Sequence, residues 1–351
     1  MVFKLEPRAV SSRVMIYQSP IIAVFLTLLA GMVMFRLMGT DPLQALEAFF
    51  IEPISTMDGI AELLVKAAPL ILIAIGLSIG FQANVWNIGA EGQLTIGALF
   101  GGSLALVFYE LETPFLIPAM LLAGTFGGMV WAAIPALLKT RFNTNEILTS
   151  LMLTYVALLI LSYLIHGPLR DPDGFNFPES RLFHNSALMP VLVEGTRLHI
   201  GILIALGVAI FAWLFIFKHM IGFQIRVVGL APAAASFAGF KQKKLIWLAL
   251  VISGGTAGLA GVIEVAGPIG QIVPVISPGY GFTAIIVAFL GRLHPIGVIF
   301  SGLLMALTYL GGDSAQITMN LPNAVTGVFQ GMLLFFLLAS DVLIRYRIKI
   351  R

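Results

Sequence analysis

Residues 64–102 read LVKAAPLILIAIGLSIGFQANVWNIGAEGQLTIGALFGG. An apolar run ends near Gln82, gives way to Asn84, Trp86, Asn87, Gly89, Glu91 and Gln93, and resumes as a second, shorter apolar run. About 20 apolar residues cross the ~30 Å of a bilayer's hydrocarbon. A polar, glycine-bearing interruption between two such runs puts non-helical backbone near membrane depth, where each unsatisfied amide costs several kcal/mol. Such backbone has to be enclosed by protein or face a water-filled cavity. The stretch therefore predicts an all-α, polytopic membrane protein with broken helices.

The rest of the chain agrees. Hydrophobic residues make up 59% and charged residues 11% of 351 positions, far from soluble composition. Ten runs are candidates to cross, at roughly 16–38, 60–80, 94–109, 114–138, 147–166, 198–217, 244–264, 279–291, 295–312 and 322–344; the runs at 94–109 and 279–291 are short and read as broken or re-entrant. Basic residues flanking spans stay in the cytoplasm. With the N-terminus inside, Lys4, Arg8, Arg13, Lys139, Arg141, Lys218, Arg226, Lys241, Lys243, Lys244, Arg292, Arg345, Arg347, Lys349 and Arg351 all fall on the inner side, while Asp41, Glu47, Glu52, Asp58, Glu62, Glu110, Glu112, Asp171, Asp173, Glu179, Glu194 and Asp313 fall outside. An even number of spans with both termini cytoplasmic is self-consistent. The net charge of +3 reflects this inner basic rim, so it argues for a lipid bilayer as partner and not for nucleic acid. The first apolar run is too long for a secretion signal's core and reads as an uncleaved span. Cysteine is absent, which excludes disulfides, thiolate metal sites and a thiol nucleophile.

No segment outside the spans is long enough for a soluble core. The outer loop at about 167–197 is turn-rich and fits a lid or a docking surface. At 41–58, Asp41 as N-cap and Pro42 as first helical residue predict a short helix at the outer interface. The chain reads as one membrane domain over 1–351, with an inner loop at about 218–244. A second interrupted unit at 246–291 carries Glu264, Gly267, Pro268, Gly270, Gln271, Pro274, Ser277, Pro278 and Gly279 between an apolar span and a short one. The charge sorting makes the unit at 64–102 enter from outside and this one from inside, as inverted repeats do, giving halves of about 60–166 and 244–345.

Both breaks are candidates for a transport pathway, with Asn84, Trp86, Asn87, Glu91, Gln93, Glu264 and Gln271 as candidate residues. A flat polar solute could stack on Trp86 and bond to Asn87 or Gln93. The same groups could instead cap broken helix ends and bond across helices. Glu91 and Glu264 cannot be placed on a surface; intramembrane carboxylates are functional candidates, yet a carboxylate bonded to amides at a helix start would be equally stable. The pairs Gly124/Gly128 and Gly254/Gly258 have the spacing of close helix packing. Asn143 with Glu146 reads as an N-cap with a capping-box acid. His166, His184, His199, His219 and His294 sit at loop or span ends without a second ligand at metal spacing, so no metal site is expected. No G-x-x-x-x-G-K-[ST] string, nucleophile elbow or zinc motif occurs, so the chain reads as a non-enzyme.

On the inner loop, Pro232 suits a first helical position, the alanines favour helix and Gly239 suits a C-terminal cap, predicting a helix of about two turns. The strings NVWNIGAEGQLTIGA (84–98), NEILTSLMLTY (145–155) and VVGLAPAAASFAGF (228–240) resemble permease subunits of bacterial ATP-binding cassette importers of the branched-chain amino acid, ribose and nucleoside group, and most resemble its nucleoside and simple-sugar branch. The resemblance covers about residues 60–345. It implies a dimer with a second permease, identical or related, a cytosolic ATPase pair that holds ATP and Mg, an outer solute-binding protein, and no cofactor on this chain. It also implies that Gly229, Leu230, Ala231, Pro232, Ala233, Ala234, Ala235, Phe237, Ala238 and Gly239 form the element that docks in the ATPase, with Phe237 as an apolar plug. Ala231 stands where the nucleoside branch often has Asn. The implied setting is the bacterial inner membrane, and the implied solute is a nucleoside or related small polar molecule. Simple sugars, riboflavin-like and amino-acid solutes stay open. So does an ion-coupled secondary carrier in which Glu91 or Glu264 binds the proton.

Overall fold

The computed structural model describes residues 3–8, 12–322 and 324–350; Arg351, counted above among the inner basic residues, lies outside them. Among the described residues nine helices are long and apolar enough to cross a membrane. They match nine of the ten runs, and the tenth is the 11-residue helix Tyr280–Leu290, too short to cross by itself. The run expected to be short at 94–109 starts earlier, at Ala90, and reaches 18 residues.

Backbone contacts divide the chain into two compact units. The first, residues 1–63 with 304–351, holds α1 (Arg13–Leu37), α2 (Pro42–Phe50), the start of α3 (Met57–Gln82), the end of α12 (Pro295–Met319) and α13 (Ala324–Arg345). Asp41 caps α2 as its sequence predicts, accepting from the Leu43 and Gln44 N–H groups, with Pro42 at the first helical position. The apolar face of α2 is buried: Phe49 stacks on Phe329 at 4.8 Å between ring centroids, and Phe35 lies 5.5 Å from the same ring. Two strands, β1 (Phe3–Pro7) and β2 (Tyr346–Ile350), pair antiparallel, with Glu6 opposite Arg347 at 3.2 Å. The two ends of the described chain therefore lie side by side.

The second unit, residues 64–303, contains α4 (Ala90–Val107), α5 (Leu116–Phe142), α6 (Glu146–His166), α7 (Gly201–Lys218), α8 (Met220–Leu230), α9 (Pro232–Phe237), α10 (Gln242–Glu264) and α11 (Tyr280–Leu290). Its centre is a junction of α4, α5 and α10 built on glycine. A Cβ on Gly258 would strike the Gly124 carbonyl and the Gly128 backbone, and a Cβ on Gly97 would strike Gly258. Apolar side chains gain nothing by leaving lipid for protein, so close backbone approach and dispersion have to supply the association. The two glycine pairs singled out in the sequence pack directly on each other.

Helix ends follow local chemistry. Asn84 and Asn143 adopt left-handed conformations, φ 55° and 54°, which asparagine tolerates better than other L-residues. The expectation for Asn143 is thereby corrected: it terminates α5, and Asn145 is the N-cap of α6, accepting from the Ile147 N–H at 2.9 Å. A left-handed residue at 143 leaves the extended capping position to residue 145. Glu146 does not close a capping box; it ion-pairs with Lys139 at 2.6 Å.

Candidate functional site

The first break runs from Ala83 to Gly89. Asn84 is exposed at its start. Asn87 and Gln93 are buried and bond to each other twice: Asn87 Nδ2 donates to Gln93 Oε1 at 2.7 Å, and Gln93 Nε2 donates to Asn87 Oδ1 at 3.0 Å. Asn87 also donates to Ser253 Oγ at 2.9 Å and accepts from the Gly89 N–H at 3.2 Å. Its two donors and two acceptor sites are thus all engaged. Ser253, Ser150, which accepts from the Ile88 N–H at 3.1 Å, and Glu146, which accepts from the Trp86 N–H at 3.4 Å, complete the break's hydrogen bonding from α10 and α6. None of these three was singled out as a partner from sequence, because each is a single polar group on a distant helix. The Trp86 ring is half-buried against Phe81 and Phe289, with centroids 5.0 and 5.6 Å away. The two phenylalanines stack at 5.0 Å, making a three-ring cluster where α3 and α11 end.

The second break begins with a π-helical turn, Val265–Ile269, that closes on Gly270 at φ 76°. Pro268 cannot continue an α-helix, and left-handed Gly270 turns the chain away. The outer loop supplies the hydrogen bonds this segment lacks. The N–H groups of Ser180, Phe183 and Met189 donate to the carbonyls of Ile272, Gly270 and Ala266 at 3.0, 2.8 and 2.8 Å, and the Ile272 N–H donates to Ser180 Oγ at 2.9 Å. Gln271 is half-buried and donates to Glu179 of the same loop at 3.1 Å. Glu264 is buried at the end of α10. His199 is buried beside Gly267; its Nδ1 accepts from the Gly201 N–H at 3.1 Å, and burial pushes its imidazole down to about 4. Arg181 pairs with Asp171 and Asp173 at 3.6 and 3.3 Å and lies over the Tyr109 ring, which holds the loop's outer edge.

The two breaks meet at Glu91. This carboxylate, in the first turn of α4, accepts from the Gly281 N–H of α11 at 2.6 Å. A Cβ on Gly281 would strike the Glu91 backbone, so glycine is required for the approach. Two helix starts, each with a positive dipole end, converge on one carboxyl group. Of the pathway candidates, the structure brings together Asn87 and Gln93 in the first break and joins Glu91 to the start of α11, while Asn84 is exposed, the Trp86 ring packs on Phe81 and Phe289, and Gln271 bonds to the outer loop.

On the inner loop α9 has six residues, close to the two turns expected, and Gly239 follows its end with φ 77°. Ala235 is buried and Gln242 Nε2 donates to Ser236 Oγ at 2.8 Å and to the Pro232 carbonyl, pinning α9 to α10. Leu230 is 87% and Phe237 97% exposed, and Ala231, Pro232, Ala233, Ala234, Ala238 and Gly239 are exposed beside them. Gly229 faces the other way; a Cβ there would strike the Gln82 carbonyl at the end of α3.

The family model described as branched-chain amino acid transport system / permease component matches residues 59–338. The glucose ABC transporter permease protein TsgB13 of Haloferax volcanii is 36% identical, with 99% of this chain and 93% of that protein covered. The nucleoside ABC transporter permease protein NupB of Lactococcus lactis is 27% identical over 92% of this chain and 91% of its own length, and the guanosine ABC transporter permease protein NupP of Bacillus subtilis is 29% identical over 93% and 94%.

Proposed function

From the premise that this chain belongs to the branched-chain amino acid transport system / permease component family, and is the permease subunit of an ATP-binding cassette importer, we propose how it is driven and what it carries. The helix α9 is the drive point. A cytosolic ATPase pair grips it, and nucleotide-dependent closure of that pair moves α8 and α9 against the inner end of α3. The observation that carries this reading is the apolar pair Leu230, at the end of α8, and Phe237, at the end of α9, almost fully exposed outside the candidate spans and flanked by small residues that allow close approach. An exposed apolar surface of this kind in water fits a protein partner. The inner face is the cytoplasmic one, which keeps both chain ends and α9 in the cell interior, as the basic residues suggest.

The solute is a small, neutral, polyhydroxylated molecule, a nucleoside or a sugar, delivered by an outer binding protein and passed between this chain and a second permease. Relatives of both kinds align with nearly the whole chain. In a complex reconstituted with its ATPase, second permease and binding protein, Phe237→Asp and Leu230→Asp are expected to insert normally and to lower solute-stimulated ATP hydrolysis at least ~10-fold. Unchanged coupling in both variants would overturn the docking assignment. Competition of uptake by guanosine, adenosine and glucose in the same vesicles separates the two solute kinds.

A further inference from the structure

At the ends of α5 and α10 that the charge sorting assigns to the cytoplasm lies a groove of about 360 Å³ lined by Leu137, Thr140, Arg141, Lys243, Lys244 and Trp247. Three of its six lining residues are cations and none is an acid. Lys139, the neighbouring cation on α5, is neutralised by Glu146 at 2.6 Å, whereas Arg141, Lys243 and Lys244 have no acidic partner among the described residues. Lys243 and Lys244 also occupy the first turn of α10, which contains no acid, an arrangement that disfavours the helix unless something negative lies nearby.

The groove's wall is fixed. Trp247 Nε1 donates to Thr140 Oγ1 at 2.9 Å, and that hydroxyl donates to the Ala136 carbonyl at 2.7 Å. An indole held at this level is the side chain suited to the border between headgroups and hydrocarbon. Leading into the groove is a stripe of exposed apolar residues along α5, Leu122, Phe126, Val130 and Leu137, and Arg141 stands one turn beyond Leu137. Successive members of such a stripe share one helix face. An apolar track that ends in an unneutralised cationic cradle matches one amphiphile: acyl chain along the track, phosphate in the cradle. A soluble acidic partner would use the cations and leave the track unexplained.

We propose that this groove binds an anionic phospholipid, its phosphate held by Arg141, Lys243 and Lys244 and an acyl chain lying along Leu137 to Leu122. Basic recesses between membrane helices on the cytoplasmic side suit anionic headgroups, and each basic residue there strengthens binding about fivefold.

The test uses the full chain in nanodiscs with brominated lipid as the quencher. The Trp247 signal is the fluorescence lost in Trp247→Phe. Brominated phosphatidylglycerol is expected to quench it more strongly than brominated phosphatidylcholine, and the triple variant R141Q/K243Q/K244Q to abolish the preference. The charge-keeping variant R141K/K243R/K244R retains it, which separates loss of charge from loss of fold. Millimolar glycerol phosphate leaves the quenching unchanged. Equal quenching by the two lipids, a preference that survives in the triple Gln variant, or displacement by glycerol phosphate would each overturn the proposal, the last by showing a site for free phosphate. Quenching that disappears once the purified ATPase is added would overturn it in favour of a protein partner.

Discussion

Gly258 sets a strict demand, because the atoms around its missing side chain are main chain from α5 and cannot turn aside. Gly258→Val is expected to lose at least ~3 kcal/mol in reversible detergent unfolding, the upper range for overpacking. Gly207→Val, where nothing lies within 4 Å, should stay within ~0.5 kcal/mol. Asn87→Leu should cost ~2–3 kcal/mol, since Gln93, Ser253 and the Gly89 N–H lose partners in a buried site. His199 adds a pH dependence. Its folded pKa, about 4, lies below the ordinary 6.5, so the unfolded chain binds more protons between these values. Stability is therefore complete above pH ~6.5 and falls by up to about 3 kcal/mol as pH drops toward 4. His199→Gln should flatten the unfolding midpoint across that window. At this scale the polar cluster at 84–93 is legible in the sequence, but its closure on itself is not. That depends on Ser253, which faces Asn87 only after folding and carries no mark in its apolar surroundings.

Among elements, the breaks and α9 announce themselves through glycine and proline. What stabilises the second break does not. Its partners are backbone amides of the outer loop, and a main-chain hydrogen bond leaves no trace in residue identity. The exception is Ser180, whose hydroxyl accepts from the buried Ile272 N–H. Ser180→Ala should cost ~1–3 kcal/mol and raise hydrogen exchange at Ile272 while α5 and α6 stay protected. The misassigned cap at Asn143 has a similar origin: two asparagines two residues apart suit both a helix end and a helix start, and only the backbone conformation separates them.

Over the whole molecule, nine of the ten runs were readable from hydropathy as helices long enough to cross, whereas the pairing of the two ends and the division into two compact units were not, because apolar spans look alike wherever they pack. Pairing of the ends can be checked cleanly, since the chain has no cysteine. Glu6→Cys with Arg347→Cys should form a disulfide on mild oxidation, and a cysteine at either position should react with an impermeant maleimide only from the cytoplasmic side. Labelling from outside would reverse the orientation. The glycine junction carries one more consequence. Where three main chains touch with no side chain between them, no slack is left for one to slide or roll past another. Helices α4, α5 and α10 must travel as one block through every stage of the transport cycle, so the shape changes that admit and release cargo fall to the segments around this keystone.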